Sequence, residues 1–88
     1  MTTSTTVQVT VRFFAAARAA AGSQAETLRV QSGTTLADLV GQLSGRNDEL
    51  AHVLRRCSFL CDGIAVRDTG VTLAEEQIID VLPPFAGG

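Results

Sequence analysis

The chain closes on Leu82-Pro83-Pro84-Phe85-Ala86-Gly87-Gly88, and this is where residue types suited to chemistry are concentrated. Gly88 offers a carboxylate with no side chain beside it. Gly87, also without a Cβ, lets the end pass a channel too narrow for other residues. Pro83 and Pro84 form a stiff stem, and Pro83 to Gly88 can extend roughly 20 Å. That suffices to enter another protein's active site while the domain stays outside. A carboxylate is a poor electrophile and must first be activated, for example as an acyl-adenylate made from ATP. A sulfur source can then convert it to a thiocarboxylate, which is a good nucleophile and a releasable form of sulfur. The reacting group would be the chain end itself, with the domain as its handle. By itself a Gly-Gly end reads more simply as a loose tail. Its weight comes from the elements that precede it.

Those elements begin with Val7, Val9, Val11 and Phe13, which alternate with Gln8, Thr10, Arg12 and Phe14. This is a period-two strand with one apolar face, and Phe14 breaks the pattern on the polar face. Ala15 to Ala21 reads as a short helix that Gly22 stops in a left-handed conformation. Glu26 to Val30 reads as a second strand, and Ser32-Gly33 as a turn. Thr35 and Asp38 then match a weak capping box. Leu36, Leu39, Val40 and Leu43 share one helical face, which Gly45 terminates. Asn47 caps a second short helix, with Asp48 and Glu49 in its first turn and Arg55 and Arg56 in its last, as the helix dipole favours. Cys57 to Cys61 is a strand, Asp62-Gly63 a hairpin turn and Ile64 to Val66 a short return strand. Residues 68–76 read as loop with Leu73 as a buried anchor. Gln77 to Leu82 is a last apolar strand, stopped by the prolines.

Strands and helices do not alternate regularly, so a doubly wound sheet is not expected. The order predicts an α+β fold of the β-grasp, or ubiquitin-like, kind: a mixed sheet packed on one main helix. The expected division is a disordered N-terminal tail (1–6), a β-grasp domain (7–82) and an extended C-terminal tail (83–88). The 88 residues suit one domain with a modest core.

Composition narrows the function classes. A net charge of −2 gives no sign of a nucleic-acid partner. All seven basic residues are arginine, so no side chain can carry an isopeptide chain. No apolar run is long enough to span a bilayer, and the Thr/Ser-rich start lacks the features of a signal peptide. Cys57 and Cys61 on one strand would stand roughly 13 Å apart, beyond disulfide reach. Free thiols and no export signal predict a cytoplasmic protein. Two thiols and the distant His52 do not form a zinc set, so no metal site is expected. No phosphate-binding loop or nucleophile–base pair is present.

Two segments carry a family resemblance. Phe13-Phe14-Ala15-Ala16-Ala17-Arg18-Ala19-Ala20-Ala21-Gly22 is similar to the first strand and helix of the molybdopterin synthase small subunit, the MoaD family. Val81 to Gly88 resembles that family's Pro-Pro-x-x-Gly-Gly end. The resemblance covers roughly Val7 to Gly88. It departs from the family at Cys61-Asp62-Gly63, where Asn-Gly is common, and at Glu75-Glu76-Gln77, where Gly-Asp-Glu is common.

The resemblance implies a sulfur carrier for molybdenum cofactor synthesis, not catalytic alone. An E1-like adenylating enzyme would activate Gly88 with ATP, and a desulfurase or rhodanese-like donor would supply sulfur. The Gly88 thiocarboxylate would then deliver it to cyclic pyranopterin monophosphate inside the synthase large subunit, in a heterotetramer. No stably bound cofactor is implied. Partners would dock on an outward apolar patch that includes Phe14 and Leu82. Phe59 would join it if Leu60 points inward, Ile64 is a further candidate, and Phe85 would anchor the tail. Alternatives are a carrier for thiamine or cysteine synthesis, a ubiquitin-like modifier, and a plain interaction module.

Overall fold

The computed structural model describes residues 5–84. Its elements run β1 (Thr6–Phe13), α1 (Ala15–Ala21), β2 (Ala25–Gln31), α2 (Leu36–Ser44), α3 (Asp48–Leu54), β3 (Ser58–Cys61), β4 (Ile64–Ala65) and β5 (Gln77–Leu82). The strands form one mixed sheet in the order β2-β1-β5-β3-β4. β1 runs antiparallel to β2 and parallel to β5, while β3 is antiparallel to both β4 and β5. This is the β-grasp arrangement expected from the sequence.

Alternation decides which side of the sheet is covered. Val9, Val11 and Phe13 of β1 and Ile79 and Val81 of β5 are buried together with Leu36, Leu39 and Leu43 of α2 and Leu50 and Leu54 of α3. Leu73 is buried in the same core, so the long segment before β5 is pinned from within. Its N–H donates to the Thr34 carbonyl at 2.9 Å.

The helix ends follow local chemistry. The Thr35 hydroxyl accepts from the Asp38 N–H, and the Asp38 carboxylate accepts from the Thr35 N–H, both at 3.1 Å. The capping box is therefore complete. Asn47 caps α3 through the Leu50 N–H at 2.7 Å. Gly22 stops α1 at φ 79, its N–H donating to the Arg18 carbonyl. The β3–β4 hairpin turns on Asp62 and Gly63, both at positive φ (51° and 83°), as a two-residue turn of this hand requires.

Three expectations change in detail. Thr6 lies in β1, and the Thr5 carbonyl accepts from the Ser32 N–H at 2.6 Å, so order starts before residue 7. α3 ends at Leu54, which puts Arg55 at its C-cap and Arg56 beyond it; His52 is the basic residue of the last turn. Cys57 precedes β3 rather than lying in it, and its thiol donates to the Val53 carbonyl at 3.3 Å.

One ion pair ties β2 to the segment after α2. Arg46 bridges Glu26 at 2.7 Å, and the Ser23 hydroxyl donates to the same carboxylate at 2.6 Å. The Arg46 hydrogen bond, then that of Ser23, holds the Glu26 carboxyl below the usual carboxylate range. A lowered folded pKa means stability that is present above the unfolded value, about 4.3, and lost as pH falls through the folded value. Arg46→Ala is expected to lower stability at pH 7 by no more than about 1 kcal/mol, because the pair is partly exposed. It should also flatten the loss of stability below about pH 4.3, as measured by urea unfolding across pH.

Candidate functional site

The parallel pairing of β1 and β5 brings the ends of both strands to one edge of the sheet. The register runs from Val9↔Gln77 to Phe13↔Val81. One residue further on, the Phe14 N–H donates to the Val81 carbonyl at 3.2 Å. Phe14, Leu82 and the start of the tail are therefore neighbours by topology. Phe14 stays extended at φ −121° and ψ 149° and caps α1 without a side-chain hydrogen bond. Ala15 then takes φ 51°, a conformation that L residues with a Cβ rarely adopt, and this turns the chain sharply into α1. The turn leaves Phe14 40% exposed.

The side of the sheet away from the helices carries Arg12 and Asp80 at its centre. They are partners in the β1–β5 register, and Asp80 also faces Leu60 across β3. Arg12 Nε donates to Asp80 Oδ1 at 2.5 Å and Nη2 to Oδ2 at 2.8 Å, a bidentate pair. Asp80 is only 5% exposed, because Arg12 covers it. The hydrogen bonds that Arg12 donates to Asp80, and then the Asp80 charge, raise the Arg12 pKa above its ordinary value. The guanidinium also sits 5.9 Å from the centre of the Phe14 ring. Around the pair, Leu60 and Leu82 are half-buried and Ile78 is exposed.

This separates the four residues expected in one apolar patch. Phe14 and Leu82 flank the Arg12–Asp80 pair at the tail end. Phe59 does not belong with them. It pairs with Val81 in the register and lies in the core, so Leu60 points outward instead. Ile64 is exposed, but it pairs with Cys61, which shares Phe59's side of the sheet. It therefore stands at the far edge on the helix side, beside a hollow of about 390 Å³ that Val71 and Arg67 also line.

Pro83 is half-buried and Pro84 exposed. They line a shallow groove of about 280 Å³ with Ala16 of α1, His52 and Val53 of α3, and Arg56. A second hollow, about 210 Å³, is lined by Arg12, Phe14, Ala15 and Arg18. Phe85, Ala86, Gly87 and Gly88 lie outside the described residues. Sequence reasoning missed Asp80 and the groove. A lone acid at an outward position in the apolar strand Gln77–Leu82 was the available signal for Asp80. The groove brings together residues about 30 positions apart and has no local signature. Among the described residues, no group of three or more His, Cys, Asp or Glu could hold a metal, and no helix is long and apolar enough to cross a membrane.

A small ubiquitin-like sheet, with a central strand that runs into a Pro-Pro stem, defines the class: a β-grasp protein built around its C-terminal end. Residues 11–88 match the ThiS family, and the chain belongs to that family. A relative in Chlamydomonas reinhardtii, named molybdopterin synthase sulfur carrier subunit, is 28% identical over 83 residues, covering 93% of this chain and all of the relative. The solution structure of the Haloferax volcanii HVO 2177 protein superposes with a TM-score of 0.85 at 28% identity, over 100% of this chain and 92% of that one. SAMP1 from Haloferax volcanii gives 0.79 at 24% identity, over 92% and 99%. The complex of subunits 1 and 2 of molybdopterin-converting factor from Helicobacter pylori gives 0.67 at 21%, over 93% and 100%. The last two likenesses establish the fold alone. The sequence resemblance to the molybdopterin synthase small subunit holds.

The Arg12–Asp80 pair yields a test. Arg12→Ala leaves a nearly buried carboxylate without its cation and is expected to lower the thermal midpoint. Adding Asp80→Asn to Arg12→Ala removes the orphaned charge and is expected to recover part of that loss by thermal unfolding.

Proposed function

We propose that this chain is a sulfur carrier for molybdenum cofactor synthesis, acting through Gly88 and not catalytic alone. The observation that carries the reading is the parallel β1–β5 pairing, which brings the start of the stem Pro83-Pro84 to the sheet end beside Phe14 and Leu82. It is supported by the match to the ThiS family, which runs to residue 88, and by the full-length alignment with the Chlamydomonas reinhardtii carrier subunit.

An E1-like enzyme adenylates the Gly88 carboxylate with ATP, which binds that enzyme and not this domain. AMP is then displaced by sulfur from a desulfurase or rhodanese-like donor, leaving a thiocarboxylate. Phe85 to Gly88 carries it into the large subunit, where it supplies sulfur to cyclic pyranopterin monophosphate. The domain stays outside and holds its partner through Phe14 and Leu82, with Arg12 fixed between them by Asp80. The Helicobacter pylori complex of two subunits supports a partner of the large-subunit kind. A second reading, a ubiquitin-like modifier, is favoured by the fold shared with SAMP1, the small archaeal modifier protein 1 of Haloferax volcanii.

Intact mass separates the two. Co-expression with an E1-like enzyme and a sulfur donor is expected to add about 16 Da, oxygen replaced by sulfur, and deletion of Gly88 should abolish the change. Isopeptide adducts on other proteins, without that species, would favour the modifier. Leu82→Ala is expected to weaken binding to the large subunit by roughly 10-fold or more, as truncation of an apolar interface anchor does. Ile64→Ala, at the far edge of the sheet, should leave it unchanged. Titration calorimetry on the purified large subunit measures both.

A further inference from the structure

Activating a C-terminus creates an electrophile that any nearby nucleophile can capture, including those of the chain that carries it. The commonest side chain able to trap it as a stable amide is the lysine amine. It deprotonates near ~10.4, so a small fraction is free and reactive at mildly alkaline pH, whereas arginine stays protonated. Both residues supply the same charge, and here arginine supplies all of it. Seven arginines and no lysine are present. Arg12 holds Asp80 and Arg46 holds Glu26, so the cations keep their structural uses.

The thiols are also restrained. Cys57 and Cys61 are both half-buried. The Cys57 thiol donates to the Val53 carbonyl. Burial pushes the Cys57 pKa up; burial, and then the Asp62 charge, does the same at Cys61. Both are thus kept from the thiolate form that attacks acyl groups. An acyl group on the exposed imidazole of His52 would be short-lived, because acyl-imidazoles are readily hydrolysed.

We infer, resting on the carrier reading above, that the side chains of this domain are cleared of stable acceptors for its own activated end, so that none of them competes with an external nucleophile for the acyl group. The groove beside the tail is where this matters most. Arg56 lines it together with Pro83 and Pro84. Four residues follow Pro84, a reach of roughly 13 Å. A primary amine at position 56 would meet the acyl carbon at high effective concentration. Its lone pair would attack the Gly88 carbonyl carbon and form the C–N bond. The leaving group would depart with the electron pair of its broken bond to that carbon, and the ammonium proton would pass to solvent. The result is a dead-end amide.

The test uses the full chain, its α-amine blocked by co-expression with an N-terminal acetyltransferase, carrying a Gly88 thioester of 2-mercaptoethanesulfonate made by intein cleavage and held at about pH 8.5, where more of the lysine amine is free. Wild type, Arg56→Lys and Arg29→Lys are compared by intact mass. Arg29 is exposed on the edge strand β2, away from the groove. Wild type is expected to lose its thioester only to water, giving the free acid. Arg56→Lys should give a species about 18 Da lighter than the free acid, independent of protein concentration, at least tenfold faster than Arg29→Lys does. A hydroxylamine-stable lighter species from wild type would overturn the inference. So would hydrolysis of Arg56→Lys at the wild-type rate with no lighter product. The thioester is made without an adenylating enzyme, so failure here is distinct from failure of the carrier reading, which the 16 Da experiment decides.

Discussion

The parallel ladder between β1 and β5 is the constraint on which the molecule depends. Two strands that run the same way cannot be joined by a tight turn, and the chain must cross over between them. Here the crossover holds all the remaining elements, from α1 to β4. Its helices cover one side of the sheet and supply Leu36, Leu39, Leu43, Leu50 and Leu54 to the core. Because both strands run the same way, their ends meet. Phe14 leaves β1 where Leu82 leaves β5, and the stem begins there. An antiparallel pairing would have put the stem at the opposite end from Phe14.

The two sides of the sheet then do different work. One is closed by helices over an apolar core, with the Glu26–Arg46 pair at its rim. The other keeps a single charged pair at its centre, with half-buried and exposed apolar residues around it. Arg12 shields Asp80 from water, and Asp80 fixes the Arg12 guanidinium in one place beside the Phe14 ring. A partner meeting this side finds a positioned cation among apolar side chains. Such a surface demands a matching arrangement and rejects a merely greasy one.

Much of the fold was legible because several signals agreed on each element. The alternation in β1, the Thr35–Asp38 box and the Leu36-Leu39-Leu43 stripe each had a local cause that tertiary structure did not override. Leu73 was legible as the apolar residue of a polar loop. The phase of β3 was not, because Ser58–Cys61 carries apolar residues on both sides and only its register against β5 decides that Phe59 faces inward. Ile64 misled for a similar reason: a two-residue strand has no periodicity to read. The burial of Asp80 depends on a partner 68 residues away, and the groove at Pro83 and Pro84 depends on where α3 stops. Ala15 at positive φ also has no sequence signal, since a residue with a Cβ other than Asn or Asp is uncommon there.

The place of β5 in the sheet also has a mechanical consequence. It lies between β1 and β3 and is hydrogen-bonded along both sides. Tension on the tail acts along the strand, across the direction of those hydrogen bonds. Both ladders are therefore loaded in shear, with many bonds sharing the force, instead of being peeled open one at a time. A partner that grips and draws in the last residues would pull on a strand that is paired along both of its sides. The same pairing that places the stem thus also sets how the sheet would bear a pull on its end.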